Sequence, residues 1–478
     1  MRFALHMRGS LATLAVALLV LLGLNSLAQA DRPRAGGVDA QVSAPSGRLV
    51  QPRGPAGCIH RTGINRCARG RSVTSPEDVV VSPDGRFAYV ASFGSHAIAI
   101  FARNRRTGEL TQLPGRRGCL HHQPVDPRPH LCRRARALGG PAALVLSPGG
   151  ETLYVAAAGS DAVSIFARSR RTGALTQLPG EAGCFGARPG GGCAIARGVN
   201  EPTSVAVSPD GERVYVAGRR FPSAIAIFDR AGDGSLTQAA GPGGCVSHLG
   251  GSDCSTARGL ASPEEVIVSP DSRDVLVAGN RSNAVVVLHA SAAGLTQDPG
   301  AAGCIARGGG SEGCAVGKAL SGPVDLAISP DGRFVYAAAS VADAVAVLRR
   351  DRATGVLTQS LTRAGCISQS GGGGLCTRGR GLDEVWGISL SPDGRNLYAV
   401  SSKVNMLSVI ARDQSSGRLS QLPGRFGCFI RAGGLGCPEG RGLTVAVAVT
   451  VSRDGRNVYV ASEDIYLGSV AIFRRLAR

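Results

Sequence analysis

One tetrapeptide recurs along the chain and restricts its fold more than any other feature. It reads SPDG at 82–85, 208–211, 329–332 and 391–394, with the variants SPGG at 147–150, SPDS at 269–272 and SRDG at 452–455. The seven copies lie 60 to 65 residues apart, so the repeat has to be explained before the 478-residue length is divided into domains. In the unit 79–113, four short β-rich runs (79–82, 87–91, 97–102 and 109–112) are separated by turn signals. Within the tetrapeptide, proline presets φ for a turn, aspartate bonds the local backbone, and glycine takes the left-handed position that closes a hairpin. Apolar residues alternate with period two and turns are frequent, which excludes helical repeats. Four antiparallel strands repeated seven times predict an all-β chain folded as a seven-bladed β-propeller.

The two ends of the repeat predict how the ring closes. The last unit has runs at 447–452, 457–461 and 470–474 and then stops, one strand short. SGRLVQPRGPAGC at 46–58 aligns without a gap on TGELTQLPGRRGC at 107–119, so residues 48–51 are expected to supply the outer strand of the seventh blade. Such an exchange removes an exposed sheet edge. The propeller then spans 47–478. Ahead of it, Arg2 and Arg8, an apolar run at 11–24 and Ala28-Gln29-Ala30 have the anatomy of a signal peptide at 1–30. Residues 31–46 match no repeat and read as a flexible linker. The expectation is a secreted protein that does not span a membrane after cleavage.

The second runs FAYVAS, TLYVAA, RVYVAG, FVYAAA, NLYAVS and NVYVAS carry a family resemblance. They resemble the YVTN repeat and the seven-bladed lactonase-like propellers, and the cysteine-bearing loops are most similar to those of secreted bacterial members. The resemblance implies the fold across about 47–478. It implies a sugar-lactone hydrolase only as one candidate activity, because this fold hosts unrelated functions.

All 14 cysteines fall into seven pairs: Cys58 with Cys67, Cys119 with Cys132, Cys184 with Cys193, Cys245 with Cys254, Cys304 with Cys314, Cys366 with Cys376, and Cys428 with Cys437. Neither zinc-ligand nor redox spacing occurs. One complete pair per repeat in an exported chain predicts seven local disulfides, pairing between neighbouring repeats being the alternative. Each pair is expected to staple the connection from the outer strand of one blade to the inner strand of the next. The loop between Cys119 and Cys132 also carries His121, His122 and His130, a set that could bind a soft divalent metal but reads first as a solvated loop.

Four residues after each second cysteine stands a cation: Arg71, Arg136, Arg197, Arg258, Lys318, Arg380 and Arg441. These form either an anion-binding collar or a set of structural stems whose heads bond loop carbonyls or acids such as Asp161 and Asp343. Where the inner strands begin, symmetry breaks. Asp78, Ala143, Ser204, Glu265, Asp325, Gly387 and Ala448 align, with Glu77 and Glu264 beside two of them. Converging acids there could hold a hard cation such as calcium or pair with the basic ring. Phe93, Phe221, Tyr466 and Trp386, the only tryptophan, are expected on the same face as a sugar- or protein-binding patch.

No strand-to-helix nucleophile elbow, zincin motif or nucleotide-binding loop is present, and no resident cofactor is expected. Glu265, with Arg258 or Arg197, is the one candidate for acid or base work. Net charge is +19, yet the arginines are scattered over every blade, lysines number two and aromatics are 4%, which disfavours nucleic acid. The leading expectation is a monomeric binding or scaffold module whose Cys-loop face engages a protein, glycan or small anionic ligand. A lactonase-type hydrolase resembling 6-phosphogluconolactonases is the alternative.

Overall fold

The computed structural model describes residues 47–122, 131–250, 253–310, 312–463 and 468–476. The expected signal peptide and linker, His130 and Tyr466 lie outside these residues. Seven small, mainly antiparallel sheets form a ring. In the second blade, Pro141–Leu146, Thr152–Ala157 and Ala162–Arg168 pair antiparallel from the axis outward. The tetrapeptide makes each first turn: Ser82 Oγ donates to Asp84 Oδ1 at 2.6 Å and accepts from Phe87 N at 3.0 Å, and Gly85 takes φ +68°.

The outer position departs from the four-strand expectation. Leu175–Gln177 pairs with one half of the third strand and Cys184–Gly186 with the other, joined by the 3-10 turn Gly180–Gly183. Ala194–Ile195 then adds a parallel fifth strand against Cys184–Gly186. The Cys loop is therefore an outer flap of its own blade.

All seven cysteine pairs are bonded as expected, and none joins neighbouring repeats. Cys58 is bonded to Cys67, Cys119 to Cys132, and Cys184 to Cys193. Cys245 is bonded to Cys254, Cys304 to Cys314, Cys366 to Cys376, and Cys428 to Cys437. Their place in the blade corrects the expectation of staples between blades. Cys67, Cys132, Cys193, Cys254, Cys314 and Cys376 each stand immediately before the parallel fifth strand of the same sheet that holds their partner. Cys437 has the same place in the sixth blade, where a single bridge from Ile430 to Glu439 replaces that strand. The reason is the pairing of the first cysteine's strand with the third strand, which draws the loop back onto its own blade.

Closure follows the expected exchange. Leu49 and Val50 pair with Arg475 and Arg474 of the last strand, and Cys58–His60 pairs farther along the same strand. The seventh blade thus takes its inner three strands from the chain's end and its outer flap from residues 49–69.

The core lies between blades. Tyr154, Val163 and Ile165 of the second blade pack against Val205, Val214, Val216 and Phe228 of the third. Each such side chain contributes about 1.5–3 kcal/mol by leaving water. Among the described residues no helix is long and apolar enough to cross a membrane.

Candidate functional site

The seven ring cations are bound by the neighbouring blade. Arg136 donates from Nη2 to Leu178 O at 3.3 Å and Gly180 O at 2.7 Å, and from Nη1 to Gly192 O at 2.9 Å. Its backbone N–H donates to Gln177 Oε1, while Gln177 Nε2 donates back to Arg136 O and to Gly183 O. The same clamp recurs for Arg71, Arg197, Arg258, Lys318, Arg380 and Arg441, whose heads reach carbonyls such as Gly115 O, Gly241 O, Asp298 O, Leu361 O, Gly424 O and Gly54 O. A cation recurs because it satisfies the carbonyls of a one-turn segment that a 3-10 helix cannot satisfy alone.

Asp161 and Asp343 do not receive these heads. Each sits at a left-handed residue and accepts the amide of Glu201 or Glu384 on the next blade, at 2.8 and 2.7 Å. His96 accepts Gly140 N at 2.9 Å in the corresponding place.

The axial mouth on the Cys-loop face is built by a bulge repeated in every inner strand. Register shifts between Pro76 and Asp78, and likewise in the other six blades, leave one residue unpaired. A bulge turns consecutive side chains to one side. Glu77, Thr203, Glu264 and Trp386 therefore line the same cavity of about 390 Å³ as Asp78, Ser204, Glu265 and Asp325. Phe93 and Arg219, at equivalent places in the loops between second and third strands, complete the wall. Phe221 is 74% exposed and does not line it.

Two of the aspartates hold backbone as well as facing the cavity. Asp78 accepts Val79 N at 2.7 Å and Leu144 N of the next blade at 2.8 Å. Asp325 does the same for Leu326 N at 2.7 Å and Ile388 N at 2.6 Å, and Ser204 Oγ accepts Val266 N at 3.2 Å.

Burial pushes Asp78 up to about 6 and Asp325 to about 7, although two amides pull each down. Glu77 rises to about 8 because it is buried and faces Glu463 and Asp78, with Arg219 opposing. Burial, reinforced by Asp325, holds Glu265 well above the carboxylate range against its bond with Ser204. Burial also raises Glu264, against the pull of Arg219. At neutral pH Glu77 is thus largely protonated and can donate a hydrogen bond, while Asp78 stays largely ionised.

The cation beside these acids is Arg219, not Arg258 or Arg197, whose heads turn to the neighbouring blade. Arg219 pairs with Glu201 and lies 3.6 Å from Glu264. Sequence reasoning missed it, although one alignment holds the signal: Phe93, Ala158, Arg219, Asn280, Ser340, Ser402 and Glu463 occupy one position of the repeat.

No three His, Cys, Asp or Glu side chains gather to hold one ion among the described residues. His121 is buried, and His122 Nδ1 accepts Leu138 N at 3.3 Å. Those two histidines are built into the flap of the first blade.

Residues 69–184 match the model of the family described as Lactonase, 7-bladed beta-propeller. No curated protein matches the chain. A 6-phosphogluconolactonase-like protein of Bacteroides uniformis has a similar solved structure, with TM-score 0.51 at 18% identity over 72% of this chain and 83% of that one. Its counterpart from Bacteroides fragilis gives TM-score 0.50 at 20% identity over 72% and 82%. The ring makes the chain a seven-bladed β-propeller, and its residues 69–184 are similar to the lactonase family of such propellers.

Proposed function

We propose that the axial mouth takes a small polyhydroxylated ligand and that its chemistry is lactonase-type hydrolysis of a sugar lactone. The observation that carries this reading is Arg219, the one cation among the lining residues, set 3.6 Å from Glu264 and near Glu77, whose carboxyl is raised to about 8 by burial. The matched family model supports it. In this scheme Glu264 takes a proton from water as the oxygen adds to the lactone carbonyl carbon. Arg219 and the protonated Glu77 hold the alkoxide that forms. Collapse breaks the ring C–O bond, and Glu264 returns the proton to the leaving oxygen. Seven disulfides support a setting outside the reducing cytosol, in keeping with export.

The test is hydrolysis of glucono-1,5-lactone followed by acid release, with the spontaneous rate subtracted. Arg219→Met and Glu264→Gln should each lower kcat/KM about 100-fold, the usual cost of losing an oxyanion donor or a general base. Wild-type protein that gives only the spontaneous rate overturns the reading.

A second reading is favoured by two aromatic rings at the same mouth, Trp386 and Phe93, which are 40% and 39% exposed. Such rings suit stacking against a sugar face in a binding module without catalysis. Trp386 is the single tryptophan, so quenching of its fluorescence by sugars reports occupancy of the mouth whether or not hydrolysis follows.

A further inference from the structure

The seam between the sixth and seventh blades, beside the closing strand, carries a groove of about 710 Å³, larger than the axial mouth. Arg48, Arg53, Arg66, Arg425, Phe426 and Glu439 are among its lining residues. Most of these break the sevenfold repeat. Where Arg53 stands, the other blades have Pro114, Pro179, Ala240, Pro299, Leu361 and Pro423. Arg66, just before the second cysteine, corresponds to Leu131, Gly192, Asp253, Gly313, Leu375 and Gly436. Phe426 is the only aromatic at its position, matched by Arg117, Ala182, Gly243, Ala302, Ala364 and Ala56. Because the fold itself asks the same of all seven blades, residues that differ at one seam are not required by the ring.

The charges there are unbalanced. Among the described residues none of Arg48, Arg53, Arg66 and Arg425 makes an ion pair, although many other arginines of the chain do. Arg48 lies over the Phe426 ring at 4.2 Å, and Arg425 is 5.6 Å from the same ring, so the phenyl face is a platform that holds guanidinium planes. Burial, with the like charge of Arg66 nearby, lowers Arg441 below its ordinary value, whereas Glu439 opposes the shift. Four uncompensated guanidiniums along a groove sized for an oligomer, with no lysine, suit forked recognition of oxyanions on successive units. Nucleic acid is the poorer fit: Phe426 is already covered by arginine and Phe429 is buried, which leaves no free ring for a base to stack on.

We propose that this seam groove binds an acidic polysaccharide, its carboxylate or sulfate groups paired with Arg48, Arg53, Arg66 and Arg425. The proposal does not depend on what occupies the axial mouth. It is tested on the purified full chain with polygalacturonate and dextran sulfate as separate probes, against neutral dextran and oligothymidylate, across a salt series. Binding to at least one acidic glycan is expected, with none to dextran. The double variant Arg53→Ser with Arg66→Ser should weaken that binding at least tenfold and flatten the salt dependence, because two counterion-releasing contacts are lost. Arg105→Ser with Arg106→Ser, which removes the same charge from the exposed turn after the third strand of the first blade, should change affinity less than twofold. Equal losses in both variants, no loss in the first, or tighter binding of oligothymidylate than of either glycan would overturn the proposal. A thermal midpoint within a degree of wild type shows that each variant is folded.

Discussion

Glu77 shows how one residue can be legible in type and illegible in role. Its acidity and its place at the start of an inner strand are plain from the chain, but its titration depends on Asp78, Glu463 and Arg219, the last two brought from other blades. The consequence has a definite sign. A carboxyl raised from 4.5 to about 8 on folding binds its proton more tightly in the native state. The stability it contributes is complete below pH 4.5 and is lost as pH rises towards 8. At about 1.4 kcal/mol per unit its share is on the order of a few kcal/mol. Asp78 and Asp325 act in the same direction up to about 6 and 7. Calorimetry at constant ionic strength should therefore show the wild-type melting temperature falling between pH 5 and 8, and falling less in Glu77→Gln. Identical slopes would refute the assignment. On the opposite face Asp331 behaves in reverse. Burial opposes ionisation there, but bonds from Ser329 and Arg333 prevail and hold it near 2, so its contribution disappears only in strong acid.

At the scale of elements, the closing strand is the piece whose loss the ring should feel most. Leu49 is 4% exposed and packs with Tyr398, Val400, Leu407 and Phe473, while its neighbour Val50 is 40% exposed. The alternation puts one side chain in the seam between blades and the next in solvent. Leu49→Ala is expected to cost about 2–3 kcal/mol in urea unfolding and Val50→Ala less than about 0.5. Equal costs would mean that the strand does not seal the ring. The alignment of 46–58 on 107–119 was enough to foresee this strand. It was not enough to foresee the flap, because Leu175–Gln177 and Cys184–Gly186 share one partner strand in two registers that no local periodicity records.

For the whole molecule, stability is divided between apolar seams, which join blades, and disulfides, which act within them. Each disulfide closes a loop with a sequence separation of 9 to 13 residues and contributes about 2–3 kcal/mol in the chain-entropy description. Replacing Cys184 and Cys193 together by serine should lower unfolding free energy by about that amount and leave the far-ultraviolet circular dichroism unchanged, since no seam residue is touched. Loss of native β signal in this variant would show that the flaps hold the ring itself.

The seven blades, the order of their inner strands, the exchange that closes the ring and the partners of all 14 cysteines could be read from the chain alone. Each is written in features repeated at short range: a turn tetrapeptide, period-two alternation and one cysteine pair per unit. Where the ring cations point could not be read there, because a head such as that of Arg136 is satisfied by carbonyls 42 to 56 residues away on another blade. The folded ring was also needed to set Cys193 and its counterparts within a blade, and to turn Arg219 towards the acids of the axial mouth. It alone brings Arg48, Arg53 and Arg66 to Arg425 and Phe426 across the seam. The physical reason is the same in each case. A strand's pattern dictates which face is buried, but the group opposite a side chain is set by a neighbour that only closure of the ring brings near.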